Sequence, residues 1–305
     1  LLTRAVDRFK EQQQESVTAT CGLFGYSRQV YYRAKKSEKA HQQRAGQVIR
    51  LVQEKRLLMP RLGTKKLYHL LEPQIHALGV GRDKLFAILK ANHMLIKPRK
   101  TYHITTNSHH RFRKHKNLIV NIDIHRPEQV WVSDITYVGK RESPLYLSLV
   151  TDAYSKKIMG YNVSKSLHLE GALSALKQAL SNRKYSDKQL IHHSDRGLQY
   201  CSDEYQELLN KRNIKCSMTE SYDPYANAIA ERVNGILKHE FIQMVKVDSL
   251  EIMDSLVKES INIYNTQRPH LSCQMNTPTQ MHNQNKLKRK TYKKLNLSKN
   301  VFTEV

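Results

Sequence analysis

Hydrophobic and polar positions alternate with period two from Gln129 onward. Val130, Val132, Asp134, Thr136 and Val138 share one face, and Trp131, Ser133, Ile135 and Tyr137 the other, which predicts a strand. A second strand is expected over Leu145 to Val150, after the turn at Glu142-Ser143-Pro144. A third is expected over Ile158 to Val163, after the polar turn Tyr154 to Lys157. These spacings suit an antiparallel three-stranded meander. The period then lengthens to that of an amphipathic helix from Glu170 to Leu180. Leu190 to His193 reads as a short buried strand, Asp203 to Lys211 as a helix and Lys215 to Met218 as a fifth strand. With a further helix around Glu231 the order is βββαβαβα.

The N-terminal third has no such alternation. Helices are expected over Arg4 to Gln14, over Val17 to Phe24 with Gly25 as its stop, and over Arg28 to Lys36 with Ser27 as N-cap. A helix, a Gly turn and a second helix bearing Arg28 and Arg33 fit a helix-turn-helix that reads DNA. A separate long polar helix, about Ser37 to Leu58, ends before Pro60. Gly63-Thr64 then opens a helix through Leu71, and Val80-Gly81-Arg82-Asp83 leads into Lys84 to Ala91. That second helix-turn-helix candidate offers Arg82 and Lys84.

Beyond the fifth strand, residues 220–226 form a polar loop before the Glu231 helix. On a helical projection Ala226, Ile229, Ala230, Val233 and Leu237 share one face, and Asn227, Glu231, Asn234 and Lys238 the opposite one. A last helix, about Ser249 to Asn262, leads to Tyr264-Asn-Thr-Gln-Arg-Pro-His270. The domain organisation expected is 1–60 and 61–96, each helix-turn-helix-like, a linker over 97–125, an α/β core over 126–247, and a C-terminal helix with a basic tail over 248–305.

Charge narrows the partner. The chain has 51 Lys and Arg against 27 Asp and Glu, a formal net charge of +24, which favours a polyanion. No acid occurs from Lys84 to Ile122, a stretch that holds Arg99, Lys100, Arg111 and Arg113 and reads as a linker that tracks phosphates. None occurs from Ser260 to Thr303 either, and the end of that run is expected to be a disordered basic tail. No apolar run approaches the roughly 18–20 residues that span a bilayer, and no stretch reads as a signal peptide. Membrane binding is therefore the weaker option, and four scattered cysteines suit a reducing cytoplasm. The chain opens on Leu1 rather than Met, as a portion of a longer product would.

Three acids stand out against this basic background. Asp134 sits mid-strand among valines, where a carboxylate is costly unless it is paired or binds a cation. Asp195 follows a buried strand at a Gly turn, and Glu231 lies on a helix with 35 residues between the two. In a βββαβαβ sheet the fourth strand lies beside the first, so the two aspartates become neighbours and a helix across the sheet adds the glutamate. Carboxylates so gathered stay ionised only around cations, and hard oxygen donors favour Mg²⁺ or Mn²⁺. Two such ions form the clamp for in-line displacement at phosphorus, and the charge makes a nucleic-acid phosphodiester the natural substrate. His193 and Thr136 are candidate accessory groups, and Arg196 a phosphate contact.

The blocks Trp131-Val-Ser-Asp134-Ile-Thr-Tyr, His193-Ser-Asp195-Arg-Gly-Leu-Gln-Tyr200 and Asn227-Ala-Ile-Ala-Glu231-Arg-Val-Asn-Gly-Ile-Leu-Lys238 resemble the catalytic core of DDE transposases. The likeness is to insertion-sequence family three, second reading frame, and to retroviral integrases. It implies an RNase H-like core with Asp134, Asp195 and Glu231 as catalytic metal ligands for two Mg²⁺ or Mn²⁺ ions. It also implies Lys238 as a contact to donor-end DNA and the Tyr264 to His270 block as a C-terminal signature. The implied work is cleavage and strand transfer at the element's terminal inverted repeats, by a homo-oligomer on double-stranded DNA in the bacterial cytoplasm, through a circular intermediate. Asn227 and Asn234 join the expected DNA contacts.

The family also implies an upstream-frame protein with a leucine zipper; nothing here reads as a zipper, so the downstream frame alone is expected. Residues 219–226 depart from the family's more basic, Gly-containing loop. If that loop orders only on DNA, the unbound protein shows the triad partly assembled. Two other classes stay open: a non-catalytic repressor or domesticated relative, and an RNase H-type nuclease or resolvase.

Overall fold

The computed structural model describes residues 2–97, 115–120, 122–140, 143–219, 227–243, 245, 247, 249–284 and 286–287. The basic linker residues Arg99, Lys100, Arg111 and Arg113, the loop 220–226 and the tail beyond 287 lie outside them. The chain divides into two compact units, one of residues 1–57 and 63–96, the other of 58–62 and 97–305.

The first unit is helical: α1 (Leu2–Gln13), α2 (Val17–Leu23), α3 (Arg28–Leu58), α4 (Thr64–Ala77) and α5 (Arg82–Ala91). Ser16 caps α2 by accepting from Ala19 N–H. Val6, Cys21 and Tyr31 bury a small core where α1 to α3 meet, and the Tyr31 hydroxyl donates to Asp7. Two expectations are corrected. The boundary at Lys36 does not exist, because Arg28 to Leu58 is one helix with no Gly or Pro until Gly46 and with Tyr31, Val48 and Val52 buried. Likewise α4 does not stop at Leu71. It continues through Pro73 to Ala77, because Leu67, Leu71 and Ile75 are all buried and packing outweighs the one hydrogen bond that proline cannot make.

The second unit is built on a five-stranded sheet: β1 (Val130–Gly139), β2 (Pro144–Asp152), β3 (Ile158–Ser164), β4 (Ile191–Ser194) and β5 (Lys215–Met218). The strand order is β3-β2-β1-β4-β5. β1, β2 and β3 pair antiparallel, and β4 and β5 join in parallel. This is the sheet of an RNase H-like core, and β4 lies beside β1 as expected.

The two faces carry different helices. Trp131, Ile135, Val150 and Met159 pack with α6 (Leu169–Ser181), the short α7 (Leu198–Cys201) and α8 (Asp203–Lys211). Gly160 lets α6 sit directly on β3, since a Cβ there would lie 2.1 Å from the Ala175 carbonyl. On the other face Val130 and Val132 pack with Ala230 of α9 (Ala228–Ile236), and with Cys273 and Met281. A π-helical turn, Leu237–Ile242, continues α9. α10 (Leu250–Thr266) and α11 (Pro278–His282) follow. They pack within this unit: Asn265 bonds both backbone groups of Ile158, and Tyr264 donates to the Lys156 carbonyl.

Candidate active site

Parallel pairing of β4 with β1 sets Trp131 opposite His192 and Val132 opposite His193. Two residues further on, the same register carries Asp134 and Asp195 to adjacent positions on the α9 face. Asp134 stays within the regular strand, paired with Leu149. Asp195 is just past the end of β4, where its Oδ1 accepts from Gly197 N–H at 3.0 Å. A Cβ on Gly197 would come within 3.1 Å of the same oxygen, so a side chain there would require the carboxylate to give by a few tenths of an ångström.

α9 supplies the third acid. Its first turn exposes Glu231, while Ala230 and Val233 are buried. Two asparagines fasten the helix to the strand that carries Asp134. Asn227 Nδ2 donates to the Ser133 carbonyl at 2.9 Å, and Asn234 Nδ2 donates to Asp134 Oδ2 at 2.7 Å. Here the structure corrects the helical projection. Asn227 and Asn234 are buried, only 6% and 4% exposed, and face the sheet rather than DNA. Seven residues make almost two turns, so the pair lies on the same side as Ala230 and can span the strand. A pair of asparagines two turns apart, flanking buried alanine and valine, is the signal in the sequence that pointed inward.

Electrostatics ties the three acids together. Burial, then the charge of Asp195, and to a smaller extent that of Glu231, push Asp134 up to about 7, against the opposing bond from Asn234. Burial and Asp195 also raise Glu231. Among the described residues no three His, Cys, Asp or Glu side chains stand in a closed arrangement around a metal position. The donor chemistry nevertheless fits a hard divalent cation: three oxygen donors, no thiolate or imidazole among them, and a carboxyl whose ionisation is opposed by its two companions.

The surrounding residues divide by role. On the opposite face His192 is buried, with Nε2 at 2.8 Å from Ser133 Oγ and 2.9 Å from the Tyr205 hydroxyl. Burial, with His193 nearby, pushes it down to about 3, so it is a neutral strut behind the site. This support was missed in the sequence, where His192 and Tyr205 lie in separate elements. His193 is on the Asp134 face, and its Nδ1 pairs with Ser217 Oγ at 2.8 Å. Thr136 is half-buried on that face, Arg196 is half-buried beside Asp195, and Lys238 is half-buried in the π-helical turn. Burial lowers the Lys238 ammonium. Arg28, Arg33, Arg82 and Lys84 are exposed in the helical unit, with Arg82 paired to Asp83 at 2.9 Å.

Comparison with known proteins shows the family of the chain. Two integrase core domain families match, over residues 124–224 and 212–278. The insertion element IS600 31 kDa protein of Shigella sonnei is 32% identical over 254 residues, covering 82% of this chain and 92% of that one. The transposase InsF for insertion sequence IS3A of Escherichia coli is 38% identical over 160 residues, 52% of this chain and 55% of that one. An HTLV-2 integrase catalytic core solved in complex with magnesium is 22% identical, at a TM-score of 0.41, over 52% of this chain and 97% of that one. With an integrase core over its sheet unit and a relative alike along most of its length, this chain belongs to the DDE transposases of insertion-sequence family three.

Proposed function

We propose that the protein cuts DNA at the terminal inverted repeats of an insertion sequence and joins the freed ends to new DNA, with Asp134, Asp195 and Glu231 as its catalytic carboxylates. The observation that carries this reading is the bond from Asn234 to Asp134. It fastens the helix of Glu231 to β1, which carries Asp134 and pairs with β4, the strand that Asp195 follows.

In this reading the three carboxylates hold Mg²⁺ or Mn²⁺, two ions per site. The metal supplies charge neutralisation and an activated oxygen nucleophile for in-line displacement at phosphorus. Asp134, whose Oδ2 accepts from Asn234, would be one of the residues that hold the metal. Asp195, whose Oδ1 accepts from Gly197 N–H, would be the second carboxylate. Glu231 closes the site from the helix. Lys238 and Arg196 bind backbone phosphate. Water first attacks the phosphodiester at the element end, forming a P–O bond and releasing a 3′-hydroxyl as the old P–O3′ bond breaks. That hydroxyl then attacks a second phosphodiester, forming a new P–O3′ bond while phosphorus keeps its O5′ and the attacked strand's own O3′ leaves as a 3′-hydroxyl. No covalent bond to protein forms. The helical unit, with Arg28, Arg33, Arg82 and Lys84, binds end DNA, and the basic linker with Arg99, Lys100, Arg111 and Arg113 follows phosphates. The protein works as an oligomer on double-stranded DNA, in the cytoplasm; among the described residues no helix is long and apolar enough to cross a membrane.

The test is single-turnover cleavage and joining of a labelled element-end duplex in Mg²⁺, with wild type beside Asp134→Asn. Wild type is expected to nick and to join, and the variant to do neither while still binding the duplex. Equal activity in both would remove Asp134 from the chemistry. Binding without cleavage by wild type would identify a repressor, and cleavage without joining a nuclease.

A further inference from the structure

The sheet carries Asp134 and Asp195, but Glu231 stands on a helix whose setting against that sheet must come from elsewhere. Asn227 and Asn234 fasten its first two turns. The far end, the π-helical turn Leu237–Ile242, is held by Arg268. Its Nε donates to Glu240 Oε2 at 2.8 Å and its Nη2 to Glu240 Oε1 at 2.7 Å, a bidentate pair. The Arg268 side chain is 1% exposed.

Around this guanidinium the block Tyr264 to His270 forms a housing. Arg268 Nη1 lies 2.9 Å from His270 Nε2. A guanidinium has no acceptor, so Nε2 is the acceptor, and His270 is neutral with its proton on Nδ1. The Tyr264 ring lies 5.8 Å below the guanidinium carbon and meets the His270 ring edge-on at 5.0 Å. The Tyr264 hydroxyl donates to the Lys156 carbonyl at 2.9 Å, in the connection between β2 and β3. A continuous set of contacts thus runs from the sheet through Tyr264, Arg268 and Glu240 to the helix that bears Glu231 and Lys238.

Stability alone does not account for this arrangement, because a buried ion pair repays little of its desolvation and apolar replacements of like volume are often as stable. What a planar, two-bonded fork adds is geometry: it fixes rotation as well as distance. The π turn needs such fixing. Its i→i+5 bonding, seen in Gln243 N–H to the Lys238 carbonyl at 2.9 Å, is rare and is found where a helix is set for function.

We propose that Arg268, through Glu240, is a positioning residue that sets the helix carrying Glu231 and Lys238 against the sheet. The catalytic half of this inference rests on the function proposed above; the mechanical half does not. The double variant Arg268→Met with Glu240→Met removes the fork and leaves no buried charge unpaired. Arg268→Lys keeps the charge without the fork. Both are compared with wild type for thermal stability, for amide exchange over residues 237–243 relative to β1, for end-duplex binding, and for turnover against KM in Mg²⁺ cleavage.

The expected result is a folded double variant with exchange over 237–243 faster by about tenfold or more. Its turnover should fall by about tenfold or more while KM stays within about twofold, with Arg268→Lys falling in the same direction. Wild-type exchange and turnover in a folded double variant would overturn the proposal. If neither variant folds, the pair is structural and the proposal fails. If wild type does not cleave at all, the catalytic reading fails, while the exchange result still decides whether Arg268 sets this helix.

Discussion

Asn234 Nδ2 donates to Asp134 Oδ2 at 2.7 Å, and this bond joins α9 to β1, the central strand of the sheet. It turns an asparagine that reads as a surface residue into the partner of a half-buried acid in the central strand. The bond stabilises the ionised form of Asp134 against burial and against Asp195.

Replacing Asn234 with Leu should therefore raise Asp134 further above the usual carboxylate range and weaken metal capture. Loss of a residue that orients a ligand typically costs about 10–100-fold in metal affinity or activity. A Mg²⁺ titration of end cleavage should shift to higher concentration while duplex binding holds. An unchanged titration would show that the bond is dispensable.

Asp134→Asn should make the metal-free protein more stable. A carboxyl raised in the fold is a burden that begins as pH passes its unfolded value, grows as pH rises, and is complete above its folded value, here about 7. The wild type should thus lose stability between about pH 4 and 7 relative to the variant, by about 2–4 kcal/mol at pH 8. Melting curves across that range, with chelator present, check both the sign and the window.

Gly160→Ala should break the packing of α6 on β3. The new Cβ would lie 2.1 Å from the Ala175 carbonyl and 2.6 Å from the Ala179 nitrogen, both of them backbone. Neither can move without shifting the helix, so the cost should reach about 3 kcal/mol or more. Urea unfolding gives the number, and a midpoint equal to wild type would contradict the contact.

His282 is fully buried between Glu128, 3.2 Å from its Nε2, and Asp152, 3.5 Å from its Nδ1. Burial opposes its charge, but the bonds to Asp152 and Glu128 outweigh that and raise its pKa above 6.5. Its contribution is therefore complete below 6.5 and is lost as pH rises through the raised value. The two acids, held low by His282 despite burial, contribute above their unfolded values and lose that contribution in acid. His282→Leu should take the imidazolium from buried Asp152 and leave Glu128 with Arg183, whose Nε lies 3.6 Å from its Oε2, cost about 3–5 kcal/mol, and flatten the alkaline limb of the stability profile. An unaltered limb would remove His282 from the titration.

Much of the core was legible before any coordinates. The alternation from Val130 to Val138 marks β1 because a strand with buried faces must place side chains at period two. The segments 203–211 and 215–218 were read to the residue, since turns and a change of period bound them. The helical unit was less legible. In a stretch such as 28–58, polar through its middle with apolar residues near its two ends, no single period says where one helix ends, and nothing breaks the long helix at Lys36.

By itself the sequence determined the strand order of elements, the positive field, and the three acids that a sheet of this kind can gather. Those are properties of composition and local period, which need no partner to exist. Only the tertiary structure decided which way α9 faces. Asn227, Glu231, Asn234 and Lys238 form one stripe on a projection, but the sheet buries one edge of that stripe and leaves Glu231 on the other. It alone also paired Arg268 with Glu240 and set His192 behind Ser133. Such contacts join residues remote in the chain, and a charge or an amide declares its partner only when the fold removes it from water.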